Sequence, residues 1–163
     1  MTHFYYHQFD SPLGRVTMQT SQQGLTGIWF TTHTTQPDEL GTWAQEHPLL
    51  QEAQRQLTEY FTGQRHQFDL PFDLHGTDFQ LAVWQGLQRI PYGQSWSYQQ
   101  LATAIGRPKA VRAVGAANGK NPLSIVIPCH RVIGTTGKLT GYAGGLTRKK
   151  ALLELEGIAF IES

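Results

Sequence analysis

The sequence has little of three things: cysteine, acidic residues in its second half, and long apolar runs. Its 163 residues include one cysteine, Cys129, so an internal disulfide and a cysteine-rich metal site are both excluded. No apolar run approaches the roughly 20 residues that cross a bilayer, and the first residues lack the basic and apolar regions of a signal peptide. We therefore expect a globular protein of the reducing cytoplasm that does not bind a membrane.

The acidic residues are unevenly distributed along the chain. Residues 1–78 contain three Arg and nine Asp or Glu, whereas residues 79–163 contain ten Lys or Arg and three Glu. Between Arg107 and Lys150 there are nine basic residues and no acidic one. A solvated basic face usually interleaves both signs, so this segregation favours a polyanion, and first of all a nucleic acid, as the partner of the second half.

The single cysteine lies in the run Ile-Pro-Cys-His-Arg-Val at residues 127–132. The thiolate is the nucleophilic form of cysteine, and neighbouring positive charge lowers the thiol pKa from about 8.5. His130 and Arg131 are therefore expected to lower the pKa of Cys129. A buried core thiol is the alternative, since free cysteine is often buried. The apolar residues 125–127 predict a buried strand that delivers Cys129 to a pocket.

The first third of the chain predicts an antiparallel sheet followed by a helix. Alternating apolar residues, turn signals and a helical period indicate strands over residues 4–9, 14–20 and 25–31 and a helix over residues 48–61. Residues 64–76 combine Pro71, Gly76 and alternating charge and are expected to form a linker. We therefore divide the chain into an N-terminal sheet-and-helix domain, residues 1–76, and a C-terminal domain, residues 77–163.

The C-terminal domain begins with two helix-start signals. Thr77 with Gln80, and Ser97 with Gln100, each predict a capping box, in which two side chains satisfy free backbone N–H groups reciprocally. The second box starts a short helix that ends near Gly106. A small-residue helix is expected over residues 109–118, and two helices joined by a tight turn are typical of a helix-turn-helix.

The second helix of this pair has a basic outer face. Val114 and Ala117 fall on its expected packing side. The outward positions combine cations with small residues that let the backbone approach a groove: Lys109, Arg112, Ala113, Ala116 and Lys120. Together with the charge segregation, this pattern favours DNA as the partner.

These residues resemble the O6-alkylguanine-DNA alkyltransferase family. The signature is the run at residues 127–132, and further matching segments follow in the family's order at residues 98–102, 112–115, 121–122, 141–145 and 156–157. The resemblance covers residues 77–160. It implies an α+β fold: a small N-terminal ribonuclease-H-like antiparallel sheet plus helix, then a mostly helical, winged-helix-like domain that contains the helix-turn-helix.

The resemblance also implies the activity, which is direct-reversal DNA repair by a suicide transferase. Cys129 accepts the alkyl group of O6-alkylguanine irreversibly, in a single turnover and without cofactor or metal. His130 acts as a base through a water molecule, and Glu156 holds His130. Tyr98 donates to N3 of the leaving guanine, and Asn121 ties the helix-turn-helix to the active-site segment.

DNA contacts are implied in the same way. Val132, Tyr142 and Ala143 contact the flipped-out base, and Arg112 fills the gap that the base leaves in the duplex. Ala113 and Ala116 approach the minor groove. Independently of the resemblance, Lys109 and Lys120 on the basic outer face, and Arg131, are expected to contact DNA. Arg148, Lys149 and Lys150 are expected in the first turn of a helix, where the dipole disfavours cations, and this placement indicates a further phosphate contact. The implied partner is duplex DNA that contains O6-alkylguanine, with O4-alkylthymine as a second expected substrate, and the protein is expected to be a monomer.

Three alternatives remain from the sequence. A catalytically silent alkyltransferase-like protein would bind the same lesions but has tryptophan in place of the cysteine. A helix-turn-helix regulator would use the basic helix without Cys129, His130 or Glu156. A thiol hydrolase would need an oxyanion motif, which is not obvious in the sequence. Imidazoles alone, at the spacings of His3, His7 and His33, are weak support for zinc.

Overall fold

The computed structural model describes residues 3–162. The chain divides into two compact units, with the boundary between His75 and Gly76. The first unit contains a sheet and one helix, and the second is mostly helical, so the predicted α+β class is confirmed.

The N-terminal unit is a four-stranded sheet covered by a helix. Its elements are β1 (Tyr5–Ser11), β2 (Gly14–Thr20), β3 (Leu25–Phe30), β4 (Thr42–Trp43) and α1 (Pro48–Phe61). The strand order is β3-β2-β1-β4, with antiparallel pairing in the predicted meander. The two-residue β4, which the sequence pattern did not indicate, pairs parallel to β1.

Helix α1 packs against β1 and β2 through its apolar stripe. Pro48 occupies its first turn, where the missing N–H costs nothing, and the His47 side chain accepts a hydrogen bond from the N–H of Leu49. The shared core consists of fully buried side chains: Val16, Met18, Leu50, Ala53, Leu57 and Tyr60.

Part of the segment predicted as a linker, residues 64–76, pairs with the sheet instead. The N–H of Leu25 donates to the carbonyl of Pro71, and the N–H of Asp73 donates to the carbonyl of Leu25, each at 2.9 Å. Phe72 forms an isolated parallel bridge with Leu25. Residues 71–73 therefore extend the sheet edge at β3, a pairing that charge and proline content did not reveal.

The C-terminal unit is built on three mutually packed helices. Its elements are α2 (Asp78–Leu87), β5 (Trp96–Ser97), α3 (Tyr98–Ala104), α4 (Val111–Gly119), a 3₁₀ turn (Cys129–Arg131), β6 (Val132–Ile133) and α5 (Leu146–Leu155). Helices α2, α3 and α4 contact one another, and α3 with α4 forms the predicted helix-turn-helix.

Both predicted capping boxes are present. The Thr77 hydroxyl accepts from the N–H of Gln80 while the Gln80 side chain accepts from the N–H of Thr77, and Ser97 and Gln100 do the same at α3. Helix α4 begins later than predicted, at Val111 rather than at Lys109, because residues 107–110 form a turn in which the N–H of Ala110 donates to the carbonyl of Arg107.

The strand predicted over residues 125–127 is also wrong. These residues are buried, but they form a tight turn in which the N–H of Ile127 donates to the carbonyl of Leu123. Ile125 has a φ of +74°. A β-branched residue in this region costs roughly 1–3 kcal/mol and persists only where its surroundings hold it.

The short ladder between β5 and β6 places the start of α3 beside the cysteine segment. Trp96 pairs with Val132, and Ser97 pairs with Ile133. Tyr98 directly follows β5 along the chain, while Cys129 to Arg131 directly precede β6. Two segments that are about thirty residues apart in sequence thus form one site.

Candidate active site

A cavity of about 270 Å³ opens beside the cysteine. It is lined by residues of α3, α4, the 3₁₀ turn and the loop before α5: Tyr98, Gly115, Asn118, Gly119, Cys129, Gly141, Tyr142 and Ala143. Its volume lies just below the roughly 300–1,000 Å³ that is common for ligand pockets. Four of the predicted site residues, Tyr98, Cys129, Tyr142 and Ala143, are therefore brought together at one cavity.

Cys129 is buried, with 5% of its surface exposed. Burial raises the pKa of its thiol, and this effect exceeds the lowering by a hydrogen bond from Asn121, by the charge of Lys149 and by backbone N–H groups. The expectation that the charges of His130 and Arg131 lower the pKa of Cys129 is therefore wrong, since His130 lowers it only through a backbone hydrogen bond. The cation that acts on the sulfur is Lys149, and burial favours the neutral thiol.

His130 and Glu156 form a fully buried pair. His130 Nε2 lies 2.7 Å from Glu156 Oε2, and neither side chain has exposed surface. Burial lowers the pKa of His130. Burial acts to raise the pKa of Glu156, but the hydrogen bonds and charges of His130 and Arg131 lower it to about 2. A carboxylate can only accept, so a neutral His130 donates through Nε2 and carries its lone pair at Nδ1.

That second ring nitrogen is buried and has no hydrogen-bond partner within residues 3–162. A buried acceptor without a hydrogen-bond partner lowers the stability of the folded protein. Its retention at Nδ1 therefore points to a functional role for this nitrogen. His130 directly follows Cys129 along the chain, in the 3₁₀ turn. The ring is chemically suited to take a proton through Nδ1.

Arg131 was predicted to contact DNA, but its side chain is buried and is bonded within the protein, which does not fit a phosphate contact. Its guanidinium is buried and pairs with Glu156, at 2.7 Å from Nε to Oε1 and 3.2 Å from Nη2 to Oε2. Its Nη1 donates to the carbonyl of Ile90 at 2.7 Å. The N–H of Gly93 also donates to Glu156 Oε1. Arg131 and Gly93 thus fix the carboxylate that His130 contacts.

Asn121 connects the end of α4 to the cysteine segment, as predicted for its position. Its Nδ2 donates to the carbonyl of Ile127 at 2.7 Å, and its Oδ1 accepts from the N–H of Leu123 at 3.0 Å. These bonds close the turn that contains the strained Ile125. A buried amide side chain therefore holds the backbone that presents Cys129.

The remaining predicted base contacts divide into two groups. Ala143 and Tyr142 line the cavity, and the Tyr142 hydroxyl hydrogen-bonds to the Ser124 hydroxyl. Val132 is buried, pairs with β5 and is not among the cavity-lining residues. Its carbonyl accepts a hydrogen bond from Lys149 Nζ at 2.6 Å.

The outward face of α4 is as predicted. Arg112, Ala113 and Ala116 are exposed, as are the flanking Lys109 and Lys120, while Val114 and Ala117 are buried. The same helix lines the cavity through Gly115, Asn118 and Gly119. The basic, small-residue surface is therefore adjacent to the cysteine cavity.

Of the three cations predicted to contact phosphate, Arg148, Lys149 and Lys150, the middle one does not fit that role. Lys149 is fully buried, and its Nζ donates to Val132 and to Thr140. Lys150 pairs with Glu162, and Arg148 donates to the carbonyl of Gly144. Lys149 lies three and four residues before the buried Leu152 and Leu153, so helical spacing could have indicated its burial.

Asn118 was also missed at the sequence level. It is buried, lines the cavity, and its Oδ1 has no partner within residues 3–162. Among the same residues no group of three or more His, Cys, Asp or Glu side chains could hold a metal ion. No helix in this part of the chain is long and apolar enough to cross a membrane.

Both units match family models. Residues 78–158 match the DNA binding domain of 6-O-methylguanine DNA methyltransferase, and residues 4–74 match its ribonuclease-like domain. The methylated-DNA–protein-cysteine methyltransferase of Mycobacterium tuberculosis is 48% identical over 152 residues, which are 93% of this chain and 92% of the relative. The constitutive methyltransferase of Bacillus subtilis is 46% identical over 97% of this chain and 98% of its own length.

Solved structures agree with these relatives. The crystal structure of Mycobacterium tuberculosis O6-methylguanine methyltransferase superposes with a TM-score of 0.86 at 47% identity, covering 96% of this chain and 93% of that one. The same bacterium's OGT in complex with DNA also gives 0.86, at 46% identity and with 95% and 92% covered. The resemblance stated from the signature is confirmed: the chain belongs to the 6-O-methylguanine DNA methyltransferase family.

Proposed function

We propose that the protein repairs DNA by moving the alkyl group from O6 of an alkylated guanine to Sγ of Cys129. The C–O6 bond breaks, a C–S bond forms, and the thiol proton replaces the alkyl group on the base. The thioether is stable, so each molecule acts once. The observation that carries the proposal is the position of Cys129, which lines the cavity beside α4 and precedes the buried His130–Glu156 pair.

His130 acts as the base in this reaction. Its Nδ1 takes the thiol proton through a water molecule, and Glu156 stabilises the imidazolium that forms. The raised pKa of Cys129 supports this assignment, because a neutral thiol has to lose its proton during the reaction rather than before it. Arg131 and Asn121 are positioning residues in this scheme: Arg131 holds Glu156, and Asn121 holds the turn before Cys129.

Departure of the base is assisted by a second group of the cavity. Tyr98 lines the cavity and donates a hydrogen bond to N3 of the guanine as negative charge develops on the ring. Tyr142 and Ala143, which line the cavity, enclose the base. No base contact is assigned to Val132, because its N–H and its carbonyl bond to Cys129 and Lys149. O4-alkylthymine is the second proposed substrate.

DNA binding is assigned to residues 77–163, and residues 1–76 form the N-terminal domain. A base within a duplex has to be rotated out to reach a cavity, at a cost of a few kcal/mol. Arg112 fills the gap that the flipped-out base leaves in the duplex. Ala113 and Ala116 allow the close approach to the minor groove, and Lys109 and Lys120 bind phosphates. Every proposed catalytic group comes from one chain, which supports action as a monomer, and the need for a reduced thiol supports the predicted cytoplasmic location.

The test uses duplex DNA that carries labelled O6-methylguanine, in excess over the protein. We expect at most one methyl group per chain to appear on the protein, and none on the Cys129→Ala variant. Retained affinity of Cys129→Ala for the lesion would show that this variant is folded. Lesion binding by the wild type without transfer would instead support an alkyltransferase-like sensor, and equal binding to undamaged DNA without transfer would support a regulator.

A further inference from the structure

We propose that Thr140 is a positioning residue that, together with Lys149, turns the hydroxyl hydrogen of Tyr98 into the cavity. The proposal rests on the proposed function, because it explains how Tyr98 is prepared to donate to the base. The juxtaposition is a chain of hydrogen bonds from Lys149 Nζ through Thr140 Oγ1 to Tyr98 Oη.

Lys149 determines which atoms donate and which accept along this series of hydrogen bonds. Its side chain is fully buried, and Nζ lies 2.6 Å from the carbonyl oxygen of Val132 and 3.2 Å from Thr140 Oγ1. An ammonium group can only donate, so Thr140 has to accept at this contact. The bond to Val132, which lies in β6, anchors the ammonium group, and the N-terminal turns of α5 fix its stem.

The bond from Lys149 also determines which atom donates between Thr140 and Tyr98. Thr140 Oγ1 lies 2.8 Å from Tyr98 Oη, and either atom could donate on distance alone. Of the two described groups that contact Oγ1, Lys149 cannot accept, so the Thr140 hydrogen has one acceptor, Tyr98. A hydroxyl that accepts from a cation also becomes a better donor. Thr140 therefore donates to Tyr98, and the hydrogen of Tyr98 is left for the cavity that Tyr98 lines.

The charge state of Lys149 is consistent with this direction. Burial lowers the pKa of Lys149 to about 8, and the charge of Cys129 acts to raise it. Below that pKa the group is an ammonium ion, so it donates at neutral pH. Development of the thiolate at Cys129 favours the ammonium form further.

The chemical consequence concerns the leaving base. As the C–O6 bond breaks, its electron pair stays with guanine, and negative charge spreads over the ring to N3. A Tyr98 hydrogen already aimed at N3 needs no reorientation at that moment. No proton leaves Lys149 or Thr140, and both act only through Tyr98.

The test compares Thr140→Val, which keeps the shape and removes the hydroxyl, with Thr140→Ser, which keeps the hydroxyl. Each is assayed on duplexes that contain O6-methylguanine or O6-methyl-3-deazaguanine, in which a C–H replaces N3. Thr140→Val should lower the transfer rate constant roughly five- to tenfold on the first duplex, the effect of one hydrogen bond, and leave the second unchanged. Thr140→Ser should retain the wild-type rate on both.

A double variant separates positioning from general damage. In a Tyr98→Phe background, Thr140→Val should have no further effect, because Thr140 acts through the missing hydroxyl. Equal losses on both duplexes, or a persistent loss in the Tyr98→Phe background, would overturn the proposal. Thermal unfolding shows that each variant is folded. Failure of the proposed function is distinguishable, since the wild type would then transfer no methyl group at all.

Discussion

His130 Nε2 and Glu156 Oε2 lie 2.7 Å apart with both side chains fully buried, although 26 positions separate them in the sequence. Helix α5 ends at Leu155, so Glu156 is its C-cap. A carboxylate is unfavourable at that end of a helix dipole. His130, Arg131 and the N–H of Gly93 compensate for it, and the pair in turn determines which nitrogen of His130 carries the lone pair.

Replacing Glu156 with Gln should slow alkyl transfer by at least about tenfold, because an amide can donate to Nε2 and no longer fixes the tautomer or stabilises the imidazolium. Single-turnover kinetics on O6-methylguanine duplexes measure this loss. Glu154→Gln, an exposed change on the same helix, is the matched control. Equal rates for the wild type and Glu156→Gln would remove His130 from the role of base.

The same carboxylate predicts a pH dependence of stability. The pKa of Glu156 is about 2 in the folded protein, against an ordinary value of 4.5. The unfolded chain therefore binds more protons between these values, and the free energy of unfolding falls as the pH decreases through this window, by up to about 3 kcal/mol. Urea unfolding from pH 6 downward should show a steeper loss for the wild type than for Glu156→Gln. Parallel curves would contradict the pairing.

Salt dependence distinguishes a phosphate contact from a buried ion pair. Lys120→Ala should lower the slope of log affinity against log salt by about 1, because one fewer counterion is released from DNA. Arg131→Gln, which removes the charge, should leave that slope unchanged and instead lower the free energy of unfolding by roughly 3–5 kcal/mol, because Glu156 loses its buried cationic partner. A smaller salt slope for Arg131→Gln would show that Arg131 binds a phosphate.

Arg112 is exposed near the start of α4 and is expected to act only on duplex substrates. Arg112→Ala should reduce transfer from duplex O6-methylguanine by roughly tenfold or more, an unstacking cost of about 1–2 kcal/mol. Reaction with the free O6-methylguanine base should be unaffected. Arg107→Ala removes the same charge from the preceding turn and is the control. Similar losses on duplex and free base would exclude Arg112 from base flipping.

The sequence analysis was most accurate for features that depend on residues close together in the chain. The capping boxes at Thr77 and Ser97 depend on residues three positions apart, and both are present in the structure. The apolar stripe that predicted α1 likewise depends on residues three or four positions apart. The run around Cys129 and the further matching segments carried the family resemblance, and it was this resemblance that predicted the contact between Glu156 and His130.

Long-range contacts explain what the sequence analysis missed. Arg131 and Lys149 looked like DNA contacts because both are cations, but Arg131 pairs with a carboxylate 25 residues away and Lys149 donates to a carbonyl 17 residues away. The apolar residues 125–127 predicted a strand, whereas the Asn121 side chain closes them into a turn. Periodicity reports burial, but it does not specify which distant backbone satisfies a buried polar group.

Peptide-level mass spectrometry tests the proposed reaction most directly. The protein is incubated with excess O6-methylguanine duplex and digested, and the peptide that contains Cys129 is examined for a methyl thioether. We predict one methyl group per chain, located on Sγ of Cys129, with guanine restored in the DNA. Restored guanine together with an unmodified Cys129, or methylation of another residue, would contradict the assignment of Cys129 as the acceptor.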